Sequence, residues 1–132
     1  MGHQIKKILI ADYEESILES LYYALRKKEI EVTTCNKFEQ AVDALVATRY
    51  DLFITDIGMP GGSVLKGLEL LGIIKRHFCS EVIVMSGYSW RESEAELCRF
   101  HGLNYIKKPI NIKEVLTICE KNDIPIKEYL LW

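Results

Sequence analysis

Apolar residues follow two alternating rhythms along this chain. Short unbroken runs, KILIA (7–11), LFIT (52–55) and VIVM (82–85), have the length and composition of strands buried on both faces. Between them apolar positions recur every three or four residues, as in an amphipathic helix. The first stripe is Ile17, Leu18, Leu21, Tyr22 and Leu25, the second Phe38, Ala41, Val42, Leu45 and Val46, the third Leu68, Leu71 and Ile74. EVTT (31–34) predicts a further strand between the first two helices, with Asn36 as the N-cap of the helix that follows.

The fourth helix is expected from Ser89, spaced from Glu92 as in a capping box, to Gly102, a natural C′ residue. Residues 105–107 form a short fifth strand, broken by Pro109. Asn111 then opens a last helix carrying Ile112, Val115, Leu116 and Cys119, which ends near Asn122. Strands alternating with helices of this length imply parallel pairing through right-handed crossovers. The expected fold is therefore a flavodoxin-like (βα)5 three-layer α/β/α sandwich around a five-stranded parallel sheet. Residues 1–122 are read as one domain. Residues 123–132 are an apolar tail, with Ile124, Ile126, Tyr129, Leu130, Leu131 and Trp132, expected to pack on the same domain.

Composition narrows the function. The 132 residues are 48% hydrophobic and 27% charged, enough for one sizeable core. A net charge of -2 with scattered Lys and Arg argues against nucleic-acid binding by phosphate neutralisation. No apolar stretch approaches the roughly 20 residues of a membrane helix, and MGHQIKK lacks the apolar segment of a secretory signal. A cytoplasmic location is expected. Cys35, Cys79, Cys98 and Cys119 show no metal-ligand spacing and are read as reduced structural thiols. His3, His77 and His101 are assigned no chemistry.

Four polar residues stand where strands end: Asp12 after ILIA, Asp56 after LFIT, Ser86 after VIVM and Lys108 after NYIK. In an open α/β sheet the crevice outside the carboxyl ends of the strands holds the chemistry, so parallel strands would gather all four at one edge. Taken singly each has a plain explanation: a turn-forming aspartate, a turn hydroxyl, a solvated lysine. Their co-occurrence is what singles them out.

With ILIADYEES, DLFITDIGMPG, GLELL, VIVMSGY and NYIKKPIN in this order, the chain resembles the receiver domain of bacterial two-component response regulators over nearly its whole length. The resemblance implies a phosphorylation switch rather than an enzyme. Asp56 would accept a phosphoryl group from a phosphohistidine on a sensor histidine kinase or histidine phosphotransfer protein. Two anions meet in that step, so positive charge and positioning must be supplied. Mg²⁺ on Asp12, Asp56 and the Gly58 backbone carbonyl would supply charge. Lys108 and the Ser86 hydroxyl would hold the phosphoryl oxygens. The resemblance also makes Pro109 a cis-proline and Tyr105 the switch aromatic that follows Ser86 inward. It implies a downstream protein target and admits a homodimer, with no nucleic acid or membrane partner.

The chain departs from the family pattern in two places. A second acid usually follows the first, and is the direct metal ligand, but here Asp12 is followed by Tyr13 and then by Glu14 and Glu15. The GGSVLK segment lengthens the loop after Asp56, displacing the usual glycine to Gly67. Gly58 and Tyr88 occupy the positions that tune acyl-phosphate lifetime in the family. Tyr13 therefore keeps open an alternative, a pseudo-receiver interaction module with impaired Mg²⁺-dependent phosphorylation. A flavin or nucleotide binder ranks last, because ADYEES has no glycine with which to cradle a phosphate.

Overall fold

A computed structural model describes residues 5–87 and 91–124. Its elements run β1 (Lys6–Ala11), α1 (Glu15–Leu25), β2 (Ile30–Cys35), α2 (Phe38–Ala47), β3 (Tyr50–Asp56), α3 (Val64–His77), β4 (Cys79–Ser86), α4 (Glu92–Phe100), β5 (Asn104–Lys107) and α5 (Ile112–Lys121). The strands form one parallel sheet in the order β2-β1-β3-β4-β5, the flavodoxin-like doubly wound order. Each expected strand is present, with one or more residues added at its ends.

The pleat explains why the central runs are apolar throughout. Ile8 and Ile10 of β1 face α1 and α5 together with Leu52 and Ile54 of β3, Ile83 and Met85 of β4, and Ile106 of β5. Leu9, Ala11, Phe53, Val82 and Val84 face the opposite way, against Ala41 and Leu45 of α2, Leu68, Leu71 and Ile74 of α3, and Cys98 of α4. Two cores thus lie on either side of one sheet, and period-2 alternation sends each strand's side chains to both. Among the described residues no helix is long and apolar enough to cross a membrane.

Three local expectations are corrected. Val42 and Val46, expected on the inner face of α2 from the stripe, are 37% and 69% exposed. The helix covers the edge of the sheet through Ala41 and Leu45, one turn apart, and the next residue along lies about 100° round the helix. The N-cap of α2 is Lys37 rather than Asn36. Helix α4 is capped at Arg91, whose backbone N–H donates to Glu94 Oε2 at 3.4 Å, so Glu94 and not Glu92 holds the third helical position. Ser89, the expected cap, lies outside the described residues, as do Tyr88, His3 and the tail beyond Ile124.

Gly102 does end α4. At φ +72° it adopts the left-handed conformation, its N–H donates to the Arg99 carbonyl at 3.1 Å, and the Leu103 N–H donates to Cys98 at 2.8 Å. Helix α5 ends the same way on Asp123, at φ 58°. The following residue, Ile124, donates to the Cys119 carbonyl at 2.9 Å and is buried against the α1/α5 core.

Candidate functional site

Because β1, β3, β4 and β5 lie side by side in one direction, their carboxyl ends share an edge. There Asp12 follows β1, Asp56 and Ser86 close β3 and β4, and Lys108 follows β5. Lys108 is fixed from its backbone outward. Its N–H donates to the Ser86 carbonyl at 2.6 Å, and its peptide bond to Pro109 is cis. The side chain, 17% exposed, carries its ammonium into a group of carboxylates. Nζ lies 2.5 Å from Asp56 Oδ2, 3.1 Å from Asp12 Oδ2 and 3.6 Å from Glu14 Oε1.

The two aspartates are held differently. Asp12 is buried to 1% exposure, and its Oδ1 accepts from the Glu14 N–H at 2.7 Å. Its Oδ2 is sealed from solvent and, among the described residues, is paired with the Lys108 ammonium at 3.1 Å. Asp56 is more open, and its Oδ1 accepts from the Gly58 N–H at 2.7 Å. A Cβ on Gly58 would stand 3.2 Å from that oxygen, so the missing side chain leaves the acceptor face clear. The Gly58 carbonyl accepts from the Gly61 N–H at 3.3 Å, within the loop that leads to α3. Gly61 and Gly62, both at positive φ, and Ser63, whose Oγ accepts from the Lys66 N–H at 3.2 Å, complete the lengthened loop. Ser86 Oγ is buried with no hydrogen-bond partner among the described residues.

Burial by itself would push the Lys108 ammonium down. The hydrogen bonds and charges of Asp56 and Asp12 outweigh it and hold its pKa above the ordinary lysine value. The site is thus a lysine-bridged carboxylate cluster beside an unsatisfied hydroxyl, opening into a cleft of about 760 Å³ lined by Glu14, Ser16, Asp56, Gly87, Lys108 and Ile110, among others. Hard oxygens of this kind suit a divalent cation, and Asp12 Oδ2, sealed from solvent beside the Lys108 ammonium, is an oxygen that would be offered to one. Among the described residues no three His, Cys, Asp or Glu side chains stand ready as a metal cage, since the acids converge on Lys108.

The structure therefore brings Asp12, Asp56, Gly58, Ser86 and Lys108 to one place. Tyr105 stands apart from the carboxylates. It is the second residue of β5, packs against the α2/α3/α4 core, and its hydroxyl accepts from Arg99 Nη1 at 3.2 Å, while Arg99 Nη2 pairs with Glu92 Oε1 at 3.2 Å on α4. Tyr13 is 62% exposed and does not line the cleft. Glu14, the acid that follows Tyr13 in the sequence, lines the cleft and reaches to 3.6 Å from Lys108 Nζ with a side chain that is 63% exposed. The four thiols are free and buried, and burial pushes Cys79, Cys98 and Cys119 up to about 12, which removes them from chemistry at neutral pH.

Comparison with known proteins agrees with this geometry. Residues 8–120 match the family model described as the response regulator receiver domain. The chain is 29% identical over 118 residues to the nisin biosynthesis regulatory protein NisR of Lactococcus lactis subsp. lactis, covering 89% of this chain and 50% of that one. It is 31% identical to the DNA-binding transcriptional regulator NtrC of Klebsiella pneumoniae, covering 85% of this chain and 24% of the relative. The chain thus spans half the length of the first relative and about a quarter of the second. A crystal structure of a CheY-like response regulator receiver domain protein from Methanospirillum hungatei JF-1 superposes with a TM-score of 0.74 at 26% identity, covering 95% of this chain and 99% of that one.

Proposed function

This chain belongs to the response regulator receiver domain family, and on that premise we propose that it is a phosphorelay receiver whose acceptor is Asp56. A carboxylate oxygen of Asp56 attacks the phosphorus of a phosphohistidine on a histidine kinase or phosphotransfer protein. An O–P bond forms, the P–N bond breaks, and the imidazole nitrogen keeps the electron pair and takes up a proton. The observation that carries the reading is the Lys108 ammonium bridging Asp56 and Asp12 beside the unsatisfied Ser86 hydroxyl.

Each residue has a role that its position supports. The Gly58 N–H orients Asp56 through Oδ1, while Lys108 offsets the negative charge that gathers as donor and acceptor meet. Ser86 Oγ, with no hydrogen-bond partner among the described residues, is available to donate to a phosphoryl oxygen. Mg²⁺, held by Asp12, Asp56 and the Gly58 carbonyl, would supply the further positive charge that phosphoryl transfer needs. Movement of the Ser86 loop toward the phosphoryl group would favour a Tyr105 position freed from Arg99, a population shift between two packings. That shift would alter the α4/β5 surface read by a downstream protein or by a second copy of the chain. We place this activity in the cytoplasm and assign the chain no catalytic turnover of its own.

The test is intact-mass detection of a phosphoryl adduct after treatment with acetyl phosphate, with and without Mg²⁺. The wild type should gain one adduct only with Mg²⁺, and Asp56→Asn should gain none. An adduct retained on Asp56→Asn would refute the acceptor assignment. Tyr13 favours a second reading, since an exposed phenol stands where a carboxylate would serve the cation. No adduct on a folded wild type would select that pseudo-receiver.

A further inference from the structure

We propose that residues 125–132 of this chain fold back into the apolar part of the cleft, between α1 and the turn from β5 to α5, and cover it. Besides the charged pair of Asp56 and Lys108, this cleft is walled by Ile17 and Leu21 of α1 and by Pro109, Ile110 and Ile112 opposite them. Ile17, Ile110 and Ile112 are only half-buried, resting on the α1/α5 core and lining the cleft with what remains. An apolar wall of this kind is stabilised by any apolar group that displaces water from it.

Position, length and chemistry select the occupant. Asp123, at φ 58°, ends α5 in a left-handed turn, and Ile124 after it is 2% exposed, in one apolar cluster with Leu18, Leu21 and Leu25 of α1. The chain therefore leaves the core on the face that carries the cleft. Residues 125–132 span about 26 Å when extended, whereas α1 rises only about 12 Å from Leu25 back to Ile17. Reach is ample. Ile126, Tyr129, Leu130, Leu131 and Trp132 make the segment far more apolar than a solvated one, so burial against the half-covered isoleucines is favoured. This contact does not depend on which residue accepts a phosphoryl group. A segment seated there would stand beside Asp56 and narrow the approach to it.

The experiment is disulfide trapping in the full chain, with far-UV circular dichroism to check that each variant is folded. Ser20, exposed on the α1 wall of the cleft, is changed in the pair Ser20→Cys with Leu130→Cys. Val46→Cys with Leu130→Cys is the control, because Val46 is 69% exposed on α2, across the sheet. The four native thiols are buried and stay out of the reaction. With diamide at micromolar protein, the Ser20 pair should close within one chain about tenfold faster than the Val46 pair. Iodoacetamide labelling of Ser20→Cys alone should also accelerate severalfold when Leu130→Asp and Trp132→Asp are added. Equal closure of the two pairs would overturn the proposal, since an unseated segment reaches both faces. Disulfides formed only between chains would overturn it in favour of a second copy as the occupant. Labelling unchanged by the two aspartates would overturn it as well, and leave the cleft open to a separate protein.

Discussion

Replacing Lys108 with Met should destabilise the fold, and in a manner that depends on pH. The ammonium is the counter-charge to Asp12, which is 1% exposed and whose Oδ2 pairs with Lys108 Nζ at 3.1 Å. Without it, Asp12 and Asp56 are left as neighbouring anions. Breaking a fully buried pair costs about 3–5 kcal/mol. Lys108 and Asp56 side chains are 17% and 19% exposed, so water screens part of the effect, and about 2 kcal/mol is the expected loss at neutral pH. For a domain of this size that corresponds to a fall in Tm of about 6–10 °C. Because the folded pKa of Lys108 is raised above its ordinary 10.5, its stabilisation is complete below 10.5 and is lost as the pH climbs through the folded value. Urea unfolding followed by circular dichroism should therefore show a wide gap between wild type and variant at about pH 7 that narrows as the pH rises through the folded value. Adding Asp56→Asn to Lys108→Met should recover part of the loss by removing one of the stranded charges. A variant as stable as wild type at neutral pH, or a gap that does not change with pH, would refute the reasoning.

Packing and thiol chemistry give three more expectations. Gly72 lies in α3 against His101, and a Cβ there would meet His101 Nδ1 at 3.0 Å and Cβ at 3.2 Å; Gly72→Ala should cost about 1 kcal/mol net in urea melts despite the better helix propensity of alanine, and His101→Gly should relieve it. Val46→Ser should change stability by less than about 0.5 kcal/mol in the same assay, because the side chain is 69% exposed. Burial holds the Cys79, Cys98 and Cys119 thiols up at about 12 from an ordinary 9.0, so they stay protonated in the folded chain and destabilise it as pH rises past 9.0. Iodoacetamide labelling read by mass spectrometry should accordingly be slow in buffer and fast in urea, and equal rates in both would contradict their burial.

Much of the site was legible before the structure because strand ends are legible. A run such as LFIT must stop where its last residue leaves the core, and parallel strands stop at a common edge, so Asp56, Ser86 and Lys108 could be grouped without knowing any distance. Helix orientation was less readable. In α2 five apolar residues fit a helical stripe equally well, and only contact with the sheet separated Ala41 and Leu45, which are buried, from Val42 and Val46, which are not. Cap positions failed for a related reason. Asn36 has the better side chain for a cap, but the path of the chain out of β2 puts Lys37 at the turn.

The alternation of strand and helix, the parallel sheet, and the set of polar residues delivered to its carboxyl edge are written in the order of residues, because they follow from local periodicity and from the direction of each strand. Long-range packing settled which acids Lys108 bridges, that Ser86 Oγ has no hydrogen-bond partner among the described residues, and that Glu14 and not Tyr13 lines the cleft. Those outcomes depend on side chains separated by tens of residues meeting within a few ångströms, and no local pattern encodes a distance of that kind.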